Sequence, residues 1–259
     1  MSAGRVSAFP LVDRYVGTRM GVDLSRLRPG RTVVVETSRR LQREQNYGYI
    51  RALWWSWFAD GCSAVSVPPG AGEAVREIAE NITGPDRLFE PALAGQLQVP
   101  VSAALARASR AGVDRVLHDR HLACNAELLR RHRSGDCRRI VDETIPPAEG
   151  LSLPTHCFPD GVAYGVVADG KVVSIAYAHR TGVMEDRVAD LAVDGTAVAY
   201  RRRGYAKTAV SAVVEHFTRA GGEALWVCRP DNVAAIATAG SVGFLPYALT
   251  LVLSAPAPV

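Results

Sequence analysis

Lysine is nearly missing from this chain: the 30 basic residues include only Lys171 and Lys207, and the net charge is +4 over 259 residues. A protein built to grip a phosphate backbone gathers far more positive charge along one face, so nucleic acid is not an expected partner. Long apolar runs are missing too. Spanning a bilayer takes about 20 consecutive apolar residues, whereas runs such as Ala52–Phe58 are short, so no membrane partner is expected. The start, Met1 to Leu11, lacks the basic end, apolar segment and small-residue cleavage site of a secretory signal, which gives the expectation of a cytoplasmic chain. Cysteine is sparse and unpatterned. Cys62, Cys124, Cys137, Cys157 and Cys228 are odd in number and scattered, unlike a disulfide framework. What remains is 48% hydrophobic and 22% charged, enough to bury the core of one large or two small domains.

Turn residues and hydrophobic periodicity divide the chain near its middle. Arg31–Glu36 and Cys62–Val67 read as strands, the second ended by Pro68-Pro69-Gly70. Gly72–Ile82 reads as a helix from its apolar spacing, and Val101–Ala111 as another stopped by Gly112. Tyr49–Phe58, with Trp54, Trp55 and Trp57, fits a buried helix or a strand, and its tryptophans suit a core or domain interface. Further on, Arg138–Asp142 is a short strand, and Ala163–Ala168 and Lys171–Ala178 are strands joined by the hairpin dipeptide Asp169-Gly170. Strand Val188–Val193, helix Gly204–Arg219, strand Ala224–Cys228, helix Val233–Ser241 and strand Tyr247–Leu253 complete the pattern. The expected fold class is therefore α/β, a mixed sheet flanked by helices.

Chemistry concentrates at Arg201-Arg202-Arg203-Gly204-Tyr205-Ala206-Lys207, between a strand and a helix. The first turn of a helix offers unpaired backbone N–H groups at its positive dipole end, which suits phosphate. Glycine allows close backbone approach, Ala206 leaves room, and the arginines add charge for a diphosphate. A basic helix start is also a common structural feature. The turn is neither a Walker loop nor a dinucleotide fingerprint.

The order of strand Val188–Val193, turn Arg201-x-x-Gly204-x-Ala206, helix, strand Ala224–Cys228, Asn232-x-x-Ala235 and Gly243-Phe244 resembles the GNAT superfamily of acyl-CoA-dependent N-acyltransferases, from about Cys137 to Leu253. The resemblance implies a mostly antiparallel GNAT-like sheet over residues 137–254, preceded by an N-terminal α/β region, residues 1–130, of unassigned role, with a cover over the substrate and a degenerate GNAT-like half as the two open readings. It implies acetyl-CoA as co-substrate and no metal, with Arg201 to Lys207 and Asn232 as cofactor-binding residues. Neighbouring strands part in this family, which would put backbone donors for the pantetheine and the thioester oxygen at Leu191, Ala192, Val193, Asp194 and Thr196. Asp190, eleven positions before Arg201, matches the site of a catalytic carboxylate in some members, although an outward-facing polar residue would look the same. The family often carries a tyrosine seven residues after the Asn to protonate the leaving thiolate, and here that position is Ala239. Tyr247 is the substitute candidate, beside its plainer reading as a core tyrosine.

The loop before the hairpin commonly overhangs the acceptor in this family, so Thr155, His156 and Phe158 are candidate substrate contacts. His118-x-x-His121-x-x-Cys124 has zinc-type ligands, but at spacings that match no zinc motif. The resulting expectation is an N-acetyltransferase that acetylates an amine of a small molecule, with a non-catalytic acyl-CoA-binding module as the alternative. The oligomeric state is open, a homodimer included.

Overall fold

A computed structural model describes residues 7–44, 48–153, 161–179, 184 and 187–257. The chain forms two compact units: Met1–His121 with Tyr247–Val259, and Leu122–Pro246. The sequence suggests a break between residues 130 and 137. The chain instead crosses earlier, inside a strand, and its last strand belongs to the first unit from Tyr247 onward.

In the first unit, helix α1 (Pro10–Met20) opens on proline and ends at Gly21, whose φ of +73° supplies the left-handed stop. Strands β1 (Thr32–Glu36), β2 (Tyr49–Phe58) and β3 (Ser63–Val67) precede helices α2 (Gly72–Ala79) and α3 (Pro91–Arg107) and strand β4 (Arg115–Cys124). β1 runs parallel to β3, and β2 runs antiparallel to β3. The tryptophan segment is thus a strand. Its two faces are both covered, with Trp54 and Trp55 equally buried, so it lacks the polar alternation that marks a half-exposed strand. The helix expected at Val101–Ala111 begins ten residues earlier, at Pro91. Pro100 lies within it and looks like a break in sequence, but Leu93, Leu97, Val101, Ala104 and Leu105 bury one continuous stripe across the proline. That packing outweighs the missing hydrogen bond.

In the second unit, strands β5 (Asp136–Ile140), β6 (Gly161–Ala168), β7 (Lys171–His179) and β8 (Val188–Thr196) form an antiparallel series. The Asp169-Gly170 hairpin is present, both residues having positive φ. Helix α4 (Tyr205–Thr218) then leads to strand β9 (Glu223–Cys228), parallel to β8, and helix α5 (Val233–Val242) leads to the final strand β10 (Leu245–Pro256). From Ala248 onward β10 pairs antiparallel with β2 in the first unit. Val210, Val213, Val214 and Phe217 of α4 pack on Val166, Ala176, Ala178, Ala189 and Leu191 of the sheet. A smaller cluster of Ile140, Ala163, Val172, Ile175 and Tyr177 covers the opposite face. The observed architecture is a mixed α/β fold with mostly antiparallel strands. Among the described residues, no helix is long and apolar enough to cross a membrane.

Candidate functional site

The site begins where pairing stops. β8 and β9 match from Val188 opposite Glu223 to Leu191 opposite Trp226, and among the described residues no further pair is found although both strands run on. On its other edge β8 stays paired to β7, with Ala178 opposite Leu191 and Tyr177 opposite Val193, so Ala192 is the extra residue of a β-bulge. A bulge bends its strand and re-aims the residues beyond it. Here it lies one residue past the last β8–β9 pair. The β8 backbone over residues 192–194 and Thr196 therefore has an edge that β9 does not cover.

Immediately beyond, Gly204 caps α4 at φ +81° and without a side-chain cap. Among the described residues, no hydrogen bond from the backbone amides of Tyr205, Ala206 or Lys207 is found, as a first helical turn requires unless a ligand or water accepts them. A β-carbon on Gly204 would sit 3.0 Å from Ser134 Oγ, so glycine serves both the backbone angle and the fit. The three arginines differ. Arg201 Nε donates to the Thr196 carbonyl at 3.2 Å, which ties the turn back to β8. Arg203 lies 5.3 Å over the Tyr200 ring and donates to the Ala199 carbonyl. Arg202 takes a left-handed φ of +63° and is exposed. Bare amides, a dipole end and three arginines make this helix start suited to an anionic group such as a phosphate.

The neighbouring helix explains the second half of the pattern. Asn232 Oδ1 accepts from the Ala235 amide at 3.1 Å and so caps α5. Gly243 ends α5 at φ +108°, and any side chain there would run into the Leu128 carbonyl. Phe244 stands edge-on to Trp226 at 5.5 Å. Ala239 is fully buried in the α4 core.

Asp190 is 3% exposed. Its neighbours Ala189 and Leu191 face α4, so strand alternation turns Asp190 to the opposite face. In register with it across the sheet stand His179 of β7, then Gly161 of β6. Tyr177 shares that face, its ring 4.9 Å from and perpendicular to that of His179. Gly161 is glycine because a β-carbon there would collide with the Tyr177 phenol. Sequence reasoning missed His179 and Tyr177. Their alternation with Ala178 was visible, but the register across the β7–β8 connection and the bulge was not.

Tyr247 lies in the first unit, where its hydroxyl donates to Asp13 Oδ1 at 2.6 Å and its ring meets Phe58 at 5.5 Å. Its surroundings are those of a core tyrosine. Thr155, His156 and Phe158 lie outside the described residues. Burial pushes the Cys124 thiol up to about 12, and burial with the nearby Asp136 carboxylate pushes Cys137 up to about 11. Among the described residues, no three His, Cys, Asp or Glu side chains gather as a metal site. His121 instead sits edge-on to Trp54 at 6.2 Å.

The sequence profile of the acetyltransferase (GNAT) family matches residues 129–244. Among solved structures, a GNAT-family protein from Novosphingobium aromaticivorans is 22% identical over 56% of this chain and 67% of its own, with a TM-score of 0.45. A GCN5-related N-acetyltransferase from Kribbella flavida is 19% identical over 66% of this chain and 78% of its own, at 0.42. A tandem GNAT protein from the clavulanic acid biosynthesis pathway is 16% identical over 61% of this chain and 58% of its own, at 0.44. No curated protein matches the chain.

Proposed function

With residues 129–244 belonging to the GNAT acetyltransferase family, we propose that the protein transfers an acetyl group from acetyl-CoA to the amine of a small molecule by direct attack. The observation that carries this reading is that β8–β9 pairing ends at Leu191 and Trp226 ahead of the α4 start, where the amides of residues 205–207 find no acceptor among the described residues.

Acetyl-CoA supplies the activated thioester, and the chain's own groups do the rest. The amides and arginines of residues 201–207 hold the diphosphate. The uncovered β8 edge, over residues 192–194 and Thr196, donates N–H groups to the pantetheine and to the thioester oxygen as charge builds there, while Leu191, the last residue paired to β9, fixes where that edge begins. Asp190 takes the proton that an acceptor ammonium must lose before its nitrogen can attack. A nitrogen–carbon bond then forms, the carbon–sulfur bond breaks, the nitrogen sheds its extra proton and the sulfur gains one from water. Asn232 acts through its cap on α5. Cys124 and Cys137, with thiols held protonated, support direct transfer over an acyl-cysteine relay. Asp190 is recessed, which favours a slender amine. A reducing cytoplasm suits such thiols.

Ala239, buried where the family often carries a tyrosine, favours a second reading, an acyl-CoA-binding module without turnover. Incubating the protein with acetyl-CoA and an amine panel while following free thiol separates the two. Release with any acceptor, reduced about 10²- to 10⁴-fold in kcat by Asp190→Asn with CoA affinity retained, is the expected result. Tight CoA binding with no thiol released by any amine would favour the binding module.

A further inference from the structure

We propose that His179 is the positioning residue of the acceptor side, acting through Asp190: it holds the carboxylate and passes on to solvent the proton that Asp190 collects. This rests on the acetyltransferase reading.

His179 and Asp190 are directly opposed in the antiparallel β7–β8 ladder, and opposed residues share a face with β-carbons about 4.5–5.5 Å apart. An imidazole and a carboxylate at that separation can exchange a proton. The pair stands two residues before the bulge at Ala192 and one before the last β8–β9 pair at Leu191, level with the point where the reacting carbonyl would enter between the strands.

The imidazole is also held. Tyr177 meets it perpendicularly at 4.9 Å, and Tyr177, fully buried, lies across Gly161, where any larger residue would displace it. Gly161, His179 and Asp190 thus form one transverse row on the face opposite α4. A structural row would be served as well by apolar side chains, which fill the rest of that face at Ile140, Ala163, Val172 and Ile175. A buried carboxylate costs stability unless it is paired, and a carboxylate facing a half-buried imidazole is the kind of pair that proton chemistry employs. The proton path balances: the acceptor ammonium gives one proton to Asp190, Asp190 gives it to His179, and His179 releases it to water, which returns both groups to their starting forms.

The test uses the full-length protein. His179→Ala should lower kcat at least tenfold while KM for acetyl-CoA and CoA affinity stay within twofold, and added imidazole should restore part of the loss. His179→Gln, which keeps volume and a donor, guards against a folding failure and should show the same fall in kcat. Wild-type turnover in the Gln variant, or a loss in the Ala variant that imidazole does not restore, overturns the proposal while leaving the acetyltransferase reading intact if Asp190→Asn is inactive. A second readout needs no turnover: at fixed pH the ring-nitrogen resonances of His179 should move in Asp190→Asn, and unmoved resonances overturn the pairing even in a protein that acetylates nothing.

Discussion

Gly204 shows how much rests on a single residue. Its φ of +81° and the 3.0 Å approach of Ser134 Oγ to the place a β-carbon would take make any side chain there strained, by about 1–2 kcal/mol for the left-handed backbone alone. Relief comes by turning the first α4 amides away from their present aim. Gly204→Val should therefore raise the CoA dissociation constant roughly tenfold or more, since 1.4 kcal/mol is a factor of ten, while circular dichroism stays unchanged. Calorimetric titration checks this; unaltered affinity would move the phosphates elsewhere. Asp190 is the opposite case, a residue whose type was legible but whose surroundings were not. Its carboxylate stood out on an apolar strand, whereas its pairing with His179 depends on a bulge that no residue type announces.

At the scale of elements, the second unit was largely legible because its punctuation is local: Asp169-Gly170, Gly204, Asn232 and Gly243 each fix a turn or cap by their own chemistry. The first unit was harder to read. β2 is buried on both faces and α3 carries Pro100 inside it, so tertiary packing overrode the local signal. α1 drew no sequence expectation, although Val12, Tyr15, Val16 and Met20 bury one face of it. The two units also treat the same device differently. In the first, β3 leads through Pro68-Pro69-Gly70 into α2, and Glu36 Oε1 accepts from the amides of Gly70 at 3.0 Å and Gly72 at 2.7 Å. The chain's own carboxylate thus occupies the helix start that would otherwise attract an anion. One CoA per chain is the stoichiometry calorimetry should return, and two equivalent sites would show that Glu36 does not seal that turn.

For the molecule as a whole, polarity buried in the first unit sets an acid limit. His121 is held down from 6.5 to about 3 by burial first and then by Arg51 and Arg19. Between those values the unfolded chain binds a proton that the folded chain refuses, so stability falls as pH drops through that window, by up to about 1.4 kcal/mol per pH unit. Asp119, raised mainly by burial, acts in the reverse sense near the carboxylate range, because there the folded form keeps a proton the unfolded form has lost. Urea midpoints read from tryptophan emission, three of whose four sources are Trp54, Trp55 and Trp57, should be lower at pH 5 than at pH 7. His121→Gln should flatten the difference; an unchanged slope would place the acid sensitivity elsewhere.

The claim beneath the functional reading is that backbone, not side chain, receives the nucleotide. Amide NMR with 15N in Tyr205, Ala206 and Lys207 addresses it directly. On addition of CoA these three resonances should shift more than any others in α4, and pantetheine, which has no diphosphate, should leave them in place. Saturating CoA that leaves all three unmoved would contradict the account.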